Sequence, residues 1–356
     1  MSEETQHTRS NIERLLAEMK IIDVWEANFL EQMESIAVLR RCFPIVAIDT
    51  EFSGFLRSTP RDAAEEHRYR DLKYNVDNLR MIQLGITLLD VAGNPRMAWQ
   101  INFSDFDPDV DPYSPASMNL LKDSGIDVQR NRREGISSVR CAALLWEKLF
   151  SHHGGAFVTF HGLYDVGYLI KMLSGGRPLP ETPREFITMA SGIFNGKLYD
   201  IKYMARFCPG LHGGEVGLMK LANMLNVKAD GVAHQAGFDC LVIGLSFREM
   251  NKRWAVMGDR DSMILYGLES VCHESKRASS SSSPLRRCSW TLPPGRFMIP
   301  PPMTRPPLAF PSPCFVGGHG PVPLLPPATT CVRWFQPVPL QWSFPGPCVV
   351  VLQSSF

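Results

Sequence analysis

An α/β or α+β sheet with helices around it is the fold class that this 356-residue sequence predicts. Three observations carry the expectation. Apolar runs of strand length come early, at 45–51, 80–90 and 97–103. Helical periodicities and further short strands alternate from about residue 116 to 254. Prolines then crowd the sequence beyond residue 274, with 18 of the chain's 28.

In chain order, residues 11–40 repeat apolar positions at helical spacing (Leu15, Met19, Ile22, Val24, Trp25, Phe29, Met33, Ile36) and predict one or two amphipathic helices. Residues 45–51 read as a buried strand. Residues 56–78 are charged and irregular, and predict a loop with a short helix. "RMIQLGITLLD" (80–90) and "MAWQINF" (97–103) read as strands joined by a turn at Gly93-Asn94, and with 45–51 they suggest an antiparallel meander. Helices are expected near 116–123 and 137–151, a short buried strand within 154–162, and a helix over 163–173 that stops at Gly175-Gly176. A prolyl loop precedes another helix. Residues 197–208 predict a strand running into a helix, followed by helices over 217–227 and 236–254.

The net charge of +1 hides an asymmetry: residues 275–356 contain seven Lys or Arg and no Asp or Glu, so residues 1–274 carry 30 basic and 36 acidic side chains, a net of −6. Ser-rich "SSSSSP" opens the proline-rich stretch, and proline every few residues opposes both helices and central strands. The expected organisation is a folded domain over 1–274 and a disordered tail over 275–356. Nine cysteines without a CxxC pair argue against a zinc ribbon or thioredoxin-like motif and fit reduced thiols in an intracellular protein. The N-terminus is polar and no run of 18 apolar residues occurs, so neither a signal peptide nor a membrane span is expected.

"IVAIDTEFSGF" (45–55) ends an apolar run with Asp49 and Glu51, two residues apart and so on one face of a strand. Taken alone, an Asp-x-Glu tripeptide is most often a solvated strand end. Two further features raise the odds of a site. Asp165 falls in the first turn of a helix just after a buried strand; the helix dipole favours an acid there, but such a junction also projects from a sheet edge. In "HQAGFD", His234 precedes Asp239 by five residues at the start of another helix. Four clustered carboxylates call for divalent cations, and hard oxygen ligands suit Mg²⁺ or Mn²⁺.

The order Asp-x-Glu, Asp, His-x4-Asp resembles the DEDDh branch of the DEDD 3′–5′ exonucleases. The wider pattern is similar to the Caf/Pop-type poly(A) deadenylases of the Ccr–Not complex. The motifs that carry it are "DVWEANF" (23–29), "DTEFSGF" (49–55), "YNVDNLRMIQLGITL" (74–88), "YDVGYLIKML" (164–173), "YDIKYMARFC" (199–208) and "HQAGFD" (234–239). The resemblance implies an RNase H-like α/β domain with a mixed central sheet flanked by helices. It also implies a two-metal poly(A)-specific exoribonuclease that releases AMP and promotes mRNA decay and gene silencing. Asp49, Glu51, Asp165 and Asp239 would be metal ligands and catalytic acids, and His234 the fifth catalytic member. The implied partners are poly(A) mRNA, the Not scaffold and the second deadenylase of the complex, in cytoplasm and nucleus. Alternatives are a catalytically weakened scaffold subunit, or a DEDDh enzyme acting on other RNA or DNA. Three departures stand out: Ser53 where the family usually has Pro, and Phe238 and Cys240 where Ser flanks the last acid. A bulky ring beside a site acid is expected to reshape the cleft. Phe52, Phe55, Phe160 and Tyr164 lie near the motifs, either as core residues or as platforms for stacked bases.

Overall fold

The structure is a computed structural model that describes residues 20–151 and 154–281. The first part of the expected N-terminal helices and almost all of the proline-rich stretch lie outside the described residues. Six strands form one mixed sheet in the order β1-β4-β3-β2-β5-β6. They are β1 (Ile21–Val24), β2 (Ile45–Phe52), β3 (Met81–Leu89), β4 (Pro95–Asn102), β5 (Ala156–Thr159) and β6 (Leu198–Asp200). The expected meander is present: β3 pairs antiparallel with both β2 and β4. β1 adds parallel to β4 at one edge, and β5 and β6 add in parallel beyond β2.

The helices that position the site are α1 (Phe29–Leu39), α2 (Glu65–Asn78), α3 (Pro115–Asp123), α4 (Val128–Glu134), α5 (Ser138–Leu145), α6 (Leu163–Leu173), α7 (Pro183–Ile193), α8 (Ile201–Met204), α9 (Leu218–Met224), α10 (Ala236–Trp254) and α11 (Glu269–Ser281). No described helix is long and apolar enough to cross a membrane.

Four expectations need correction. Ile22 and Val24 belong to a strand, not a helix; four residues, "IIDV", are too few to separate the two periodicities. Residues 65–78 form a full helix despite their charge. Their apolar stripe of Tyr69, Leu72 and Val76 is enough to bury one face. The helix expected over 137–151 is α-helical only to Leu145 and then widens into a π-turn over Trp146–Phe150. Finally, the helix α11 continues past residue 274, where composition changes, to Ser281. The Lys276 ammonium holds this helix by donating to the carbonyls of Asp259, Arg260 and Ser262 at 2.8–3.0 Å.

α10 crosses one face of the sheet at unusually short range. A Cβ on Gly85 of β3 would lie 1.8 Å from the Ala236 carbonyl oxygen, and one on Gly237 would lie 2.8 Å from the Gln100 Cβ. Side chains at either position would lift the first turn of α10 off the strands. α6 contacts β2 and packs against α2, α5 and α7. The core between these layers holds Val46, Ile48, Ile86, Trp99, Val166, Leu169, Ile243 and Phe247, all at most 1% exposed.

Candidate active site

The C-terminal half of β2 pairs Asp49 with Gly85 and Glu51 with Gln83. Both acids share one face and are half-buried at the sheet's edge. Asp165 enters from the first turn of α6, 6% exposed, and its Oδ1 accepts a 2.6 Å hydrogen bond from Thr50 Oγ1, between the two strand acids. Asp239 enters from the first turn of α10, 8% exposed. His234 stands exposed just before that helix with φ 64°, in the left-handed region, and this turn lets its own N–H donate to Asp239 Oδ2 at 3.0 Å. Ligand atoms of Glu51, His234 and Asp239 all lie within 4.8 Å of one another. The five residues expected from the sequence thus converge.

Crowding of like charge away from water is written into their acidities. Burial pushes the Asp49 carboxyl well above the ordinary carboxylate range, and Asp165, Asp239 and Glu51 push the same way. Burial, then Asp239 and Asp165, raise Glu51 to about 8. Burial raises Asp165 to about 7 against the opposing Thr50 hydrogen bonds, and Asp239 to about 6 against those of His234. Asp239 Oδ1 is buried with no hydrogen-bond partner. An orphaned carboxylate oxygen, three raised carboxyls beside it and an adjacent imidazole make a donor set that fits hard divalent cations.

Supporting residues were less visible in sequence. Gln83 Oε1 accepts from Ala236 N at 3.2 Å and Gln100 Oε1 from Gly237 N at 3.1 Å, so two buried strand amides grip the N-terminus of α10 and hold Asp239 over the cleft. A lone Gln inside the apolar run "MIQLGITLL" is the sequence signal for the first. Asp200, at the end of β6, is fully buried and accepts four backbone N–H groups: His161 and Lys202 on Oδ1, Gly162 and Tyr266 on Oδ2, at 2.8–3.2 Å. It fixes the turn that leads into Asp165.

The departures are absorbed locally. Phe238 is 3% exposed and packs in a small apolar cluster with Ala222 and Val242, flanked by Val227, Ala229 and Ala233. Its ring packs against Gly231 in the loop before His234. Cys240 Sγ lies 3.0 Å from Thr87 Oγ1 and 3.2 Å from the Gly237 carbonyl, and burial pushes the thiol up, so it is a packed side chain and not a nucleophile. Of the four aromatics, Phe52, Phe160 and Tyr164 are half-buried, with Phe52 stacked on Tyr164 at 5.3 Å. Phe55 stands edge-on to both rings and is 46% exposed.

Residues 24–140 match the CAF1 family ribonuclease domain. The probable CCR4-associated factor 1 homolog 7 of Arabidopsis thaliana is 40% identical over 263 residues, covering 70% of this chain and 94% of that protein. Homolog 5 of the same plant is 39% identical over 254 residues, covering 69% and 90%. Among solved structures, S. pombe Pop2p in its Mg²⁺- and Mn²⁺-bound form superposes with a TM-score of 0.64 at 34% identity, over 70% of this chain and 99% of that one. The yeast NOT1 MIF4G domain co-crystallised with CAF1 gives 0.60 at 25% identity, over 69% and 96%. The mixed sheet with its flanking helices is therefore the RNase H-like fold of Pop2, and the chain belongs to the CAF1 ribonuclease family.

Proposed function

We propose that this chain is a 3′–5′ exoribonuclease that shortens poly(A) tails and releases AMP. The observation that carries the reading is the meeting of Asp49, Glu51, Asp165 and Asp239 with His234 at one sheet edge. Asp49, Glu51, Asp165 and Asp239 would hold two Mg²⁺ or Mn²⁺ ions, as the Pop2 relative holds these metals. Bound there, the cations would offset the carboxylate repulsion and stabilise charge on the scissile phosphate.

The chain's own groups do the rest. His234, exposed at the cleft mouth, takes a proton from the water that attacks the terminal phosphate, as the P–O3′ bond breaks and the freed oxygen of the shortened strand is protonated. Thr50 fixes the Asp165 carboxyl, and the His234 N–H fixes that of Asp239. Phe55 offers an exposed ring, edge-on to Phe52 and Tyr164, on which a base can stack. The residues nearest the chemistry are acidic, so single-stranded RNA is held by stacking as much as by basic contacts. By analogy with the yeast CAF1 bound to NOT1, the enzyme works on the Not scaffold of a Ccr–Not complex beside a second deadenylase, in cytoplasm and nucleus.

The test is incubation of the full chain with a 5′-labelled RNA ending in oligo(A), with Mg²⁺ or with chelator. A ladder shortened from the 3′ end, lost with chelator and slowed on an oligo(C) tail, is the expected result. Undiminished cleavage in chelator would sink the metal-dependent reading. Equal rates on both tails would make the enzyme a general exonuclease.

A further inference from the structure

A second polar cavity lies on the far side of the α10 N-terminus from the acids. Strand register places it. Across the sheet, Asp49 pairs with Gly85, Gly85 with Gln100, and Gln100 with Asp23. In the next row Glu51 pairs with Gln83, and Gln83 with Asn102. The first turn of α10 sits over Gly85 and divides the row into the acid cleft and a cavity of about 320 Å³. Both sides touch Gln83 and the His234-Gln235 loop.

The cavity floor is built from buried amides. Gln83 is 2% exposed, Asn102 1%, Asn131 4% and Gln100 8%. They are mutually oriented: Gln83 Nε2 donates to Asn102 Oδ1 at 2.9 Å and to Gln235 Oε1 at 3.2 Å, and Gln100 Nε2 donates to Asp23 Oδ1 at 2.9 Å. Further bonds take Asn102 Nδ2 to the Val24 and Gln100 carbonyls, Asn131 Nδ2 to the Ile82 carbonyl and Gln235 Nε2 to the Ser124 carbonyl, so the spare hydrogen-bonding capacity of the floor is the second N–H of Gln100, Asn131 and Gln235 and the second lone pairs of the amide oxygens. The wall is an Arg130 guanidinium stacked 4.1 Å from the centre of the Trp25 ring.

The charged lining, Asp23, Asp127 and Arg130, carries a net negative charge, which disfavours a phosphate or an anionic headgroup. The amides disfavour a purely apolar ligand. A flat, neutral group that offers donors and acceptors along one edge and a π-face for stacking fits both walls. We propose that this cavity is a nucleobase-binding subsite, separate from the position of the scissile nucleotide, whose occupancy is felt at His234 and Asp239 through Gln83 and Gln235. Assignment of the base to the RNA substrate rests on the nuclease reading above. A free nucleoside monophosphate would present the same base, with its phosphate left outside the negative lining.

The experiment measures binding, in chelator, so that no cleavage is needed. The full chain is titrated with 5′-fluorescein oligo(A) and with a set in which one abasic site steps inward from the 3′ end. AMP binding is measured separately by calorimetry. Two variants probe the cavity from opposite directions: Trp25→Ala empties the wall, and Val232→Trp, at the 54%-exposed rim, fills the mouth without touching the amide network. Melting curves check that both fold. One abasic position beyond the terminal nucleotide should weaken wild-type binding about tenfold, and that penalty should vanish in both variants. A flat abasic series with AMP binding lost in both variants would support the subsite with free nucleotide as its occupant. RNA binding with no position-specific penalty and no AMP binding would overturn the subsite while leaving the nuclease reading standing. If cleavage with Mg²⁺ also failed, both would fall.

Discussion

Asp49 faces Gly85 across the strand pair, and burial first, then Asp165, Asp239 and Glu51, make its charge unfavourable. Asp49→Asn should abolish cleavage in the labelled-RNA assay, yet melt at the same or a higher temperature without cations, because it removes one repelling charge. His234→Ala, by contrast, should slow cleavage by about 10²–10⁴-fold, the loss expected for a general base. Near-normal rates in either variant would place the chemistry elsewhere. Phe238 gives the opposite balance. Restoring the family's residue with Phe238→Ser would empty a packed site and place a hydroxyl in it. A loss of about 3–5 kcal/mol, as for other buried aromatic truncations, is expected in denaturant titrations, with no gain in rate per folded molecule. A faster and equally stable variant would show that the ring does intrude on the cleft. Residue identity and order were enough to pick out Asp49, Glu51, Asp165, His234 and Asp239, which the fold brings to one sheet edge. The packing of Phe238 was not legible, because identity does not say which way a side chain on a buried helix faces.

At the scale of elements, β2, which carries Asp49 and Glu51, and its neighbours β3 and β4 were legible because each is a short apolar run. β1 was not, since its partner β4 is far away in sequence and nothing local in "IIDV" signals a parallel edge pairing. α2 was underestimated for a related reason: its mean composition is polar, while its burial depends on one stripe. Gln83 and Gln100 were missed as supports because their function, gripping the first turn of α10, exists only after β3 and β4 pair. The length of α11 was not legible from composition, which reports proline and charge but not a helix whose own Lys276 anchors it to the carbonyls of Asp259, Arg260 and Ser262. A chain cut after Glu274 severs α11 in its second turn and loses the three carbonyl contacts of Lys276. It should melt several degrees below the full chain by calorimetry, about 2–4 °C for each kcal/mol lost. A chain cut after Ser281 should melt with the full chain; equal melting of both truncations would show that α11 contributes nothing beyond Glu274.

For the molecule as a whole, the acid cluster ties stability to pH and to cations. Asp239, Asp165 and Glu51 have folded acidities raised to about 6, 7 and 8, and Asp49 is raised in the same direction. Each therefore binds a proton on folding between its unfolded value, about 4, and its folded one. Their contribution to stability is complete below the lower value and is lost as pH rises through the higher. With chelator present, melting temperature should fall from pH 5 to pH 9, and Mg²⁺ should restore it most at the alkaline end. A flat or rising profile in chelator would mean that the four carboxyls do not share one unscreened site. Asp200 has a consequence of another kind. Its two oxygens gather amides from three distant stretches of chain, so these amides cannot open one at a time without stranding a buried charge. In hydrogen-exchange measurements the N–H groups of His161, Gly162, Lys202 and Tyr266 should therefore exchange at one common rate. Asp200→Asn keeps a single carbonyl oxygen and turns an N–H₂ toward the others. The quartet should then split into two pairs, His161 with Lys202 and Gly162 with Tyr266, one still protected and the other exchanging freely.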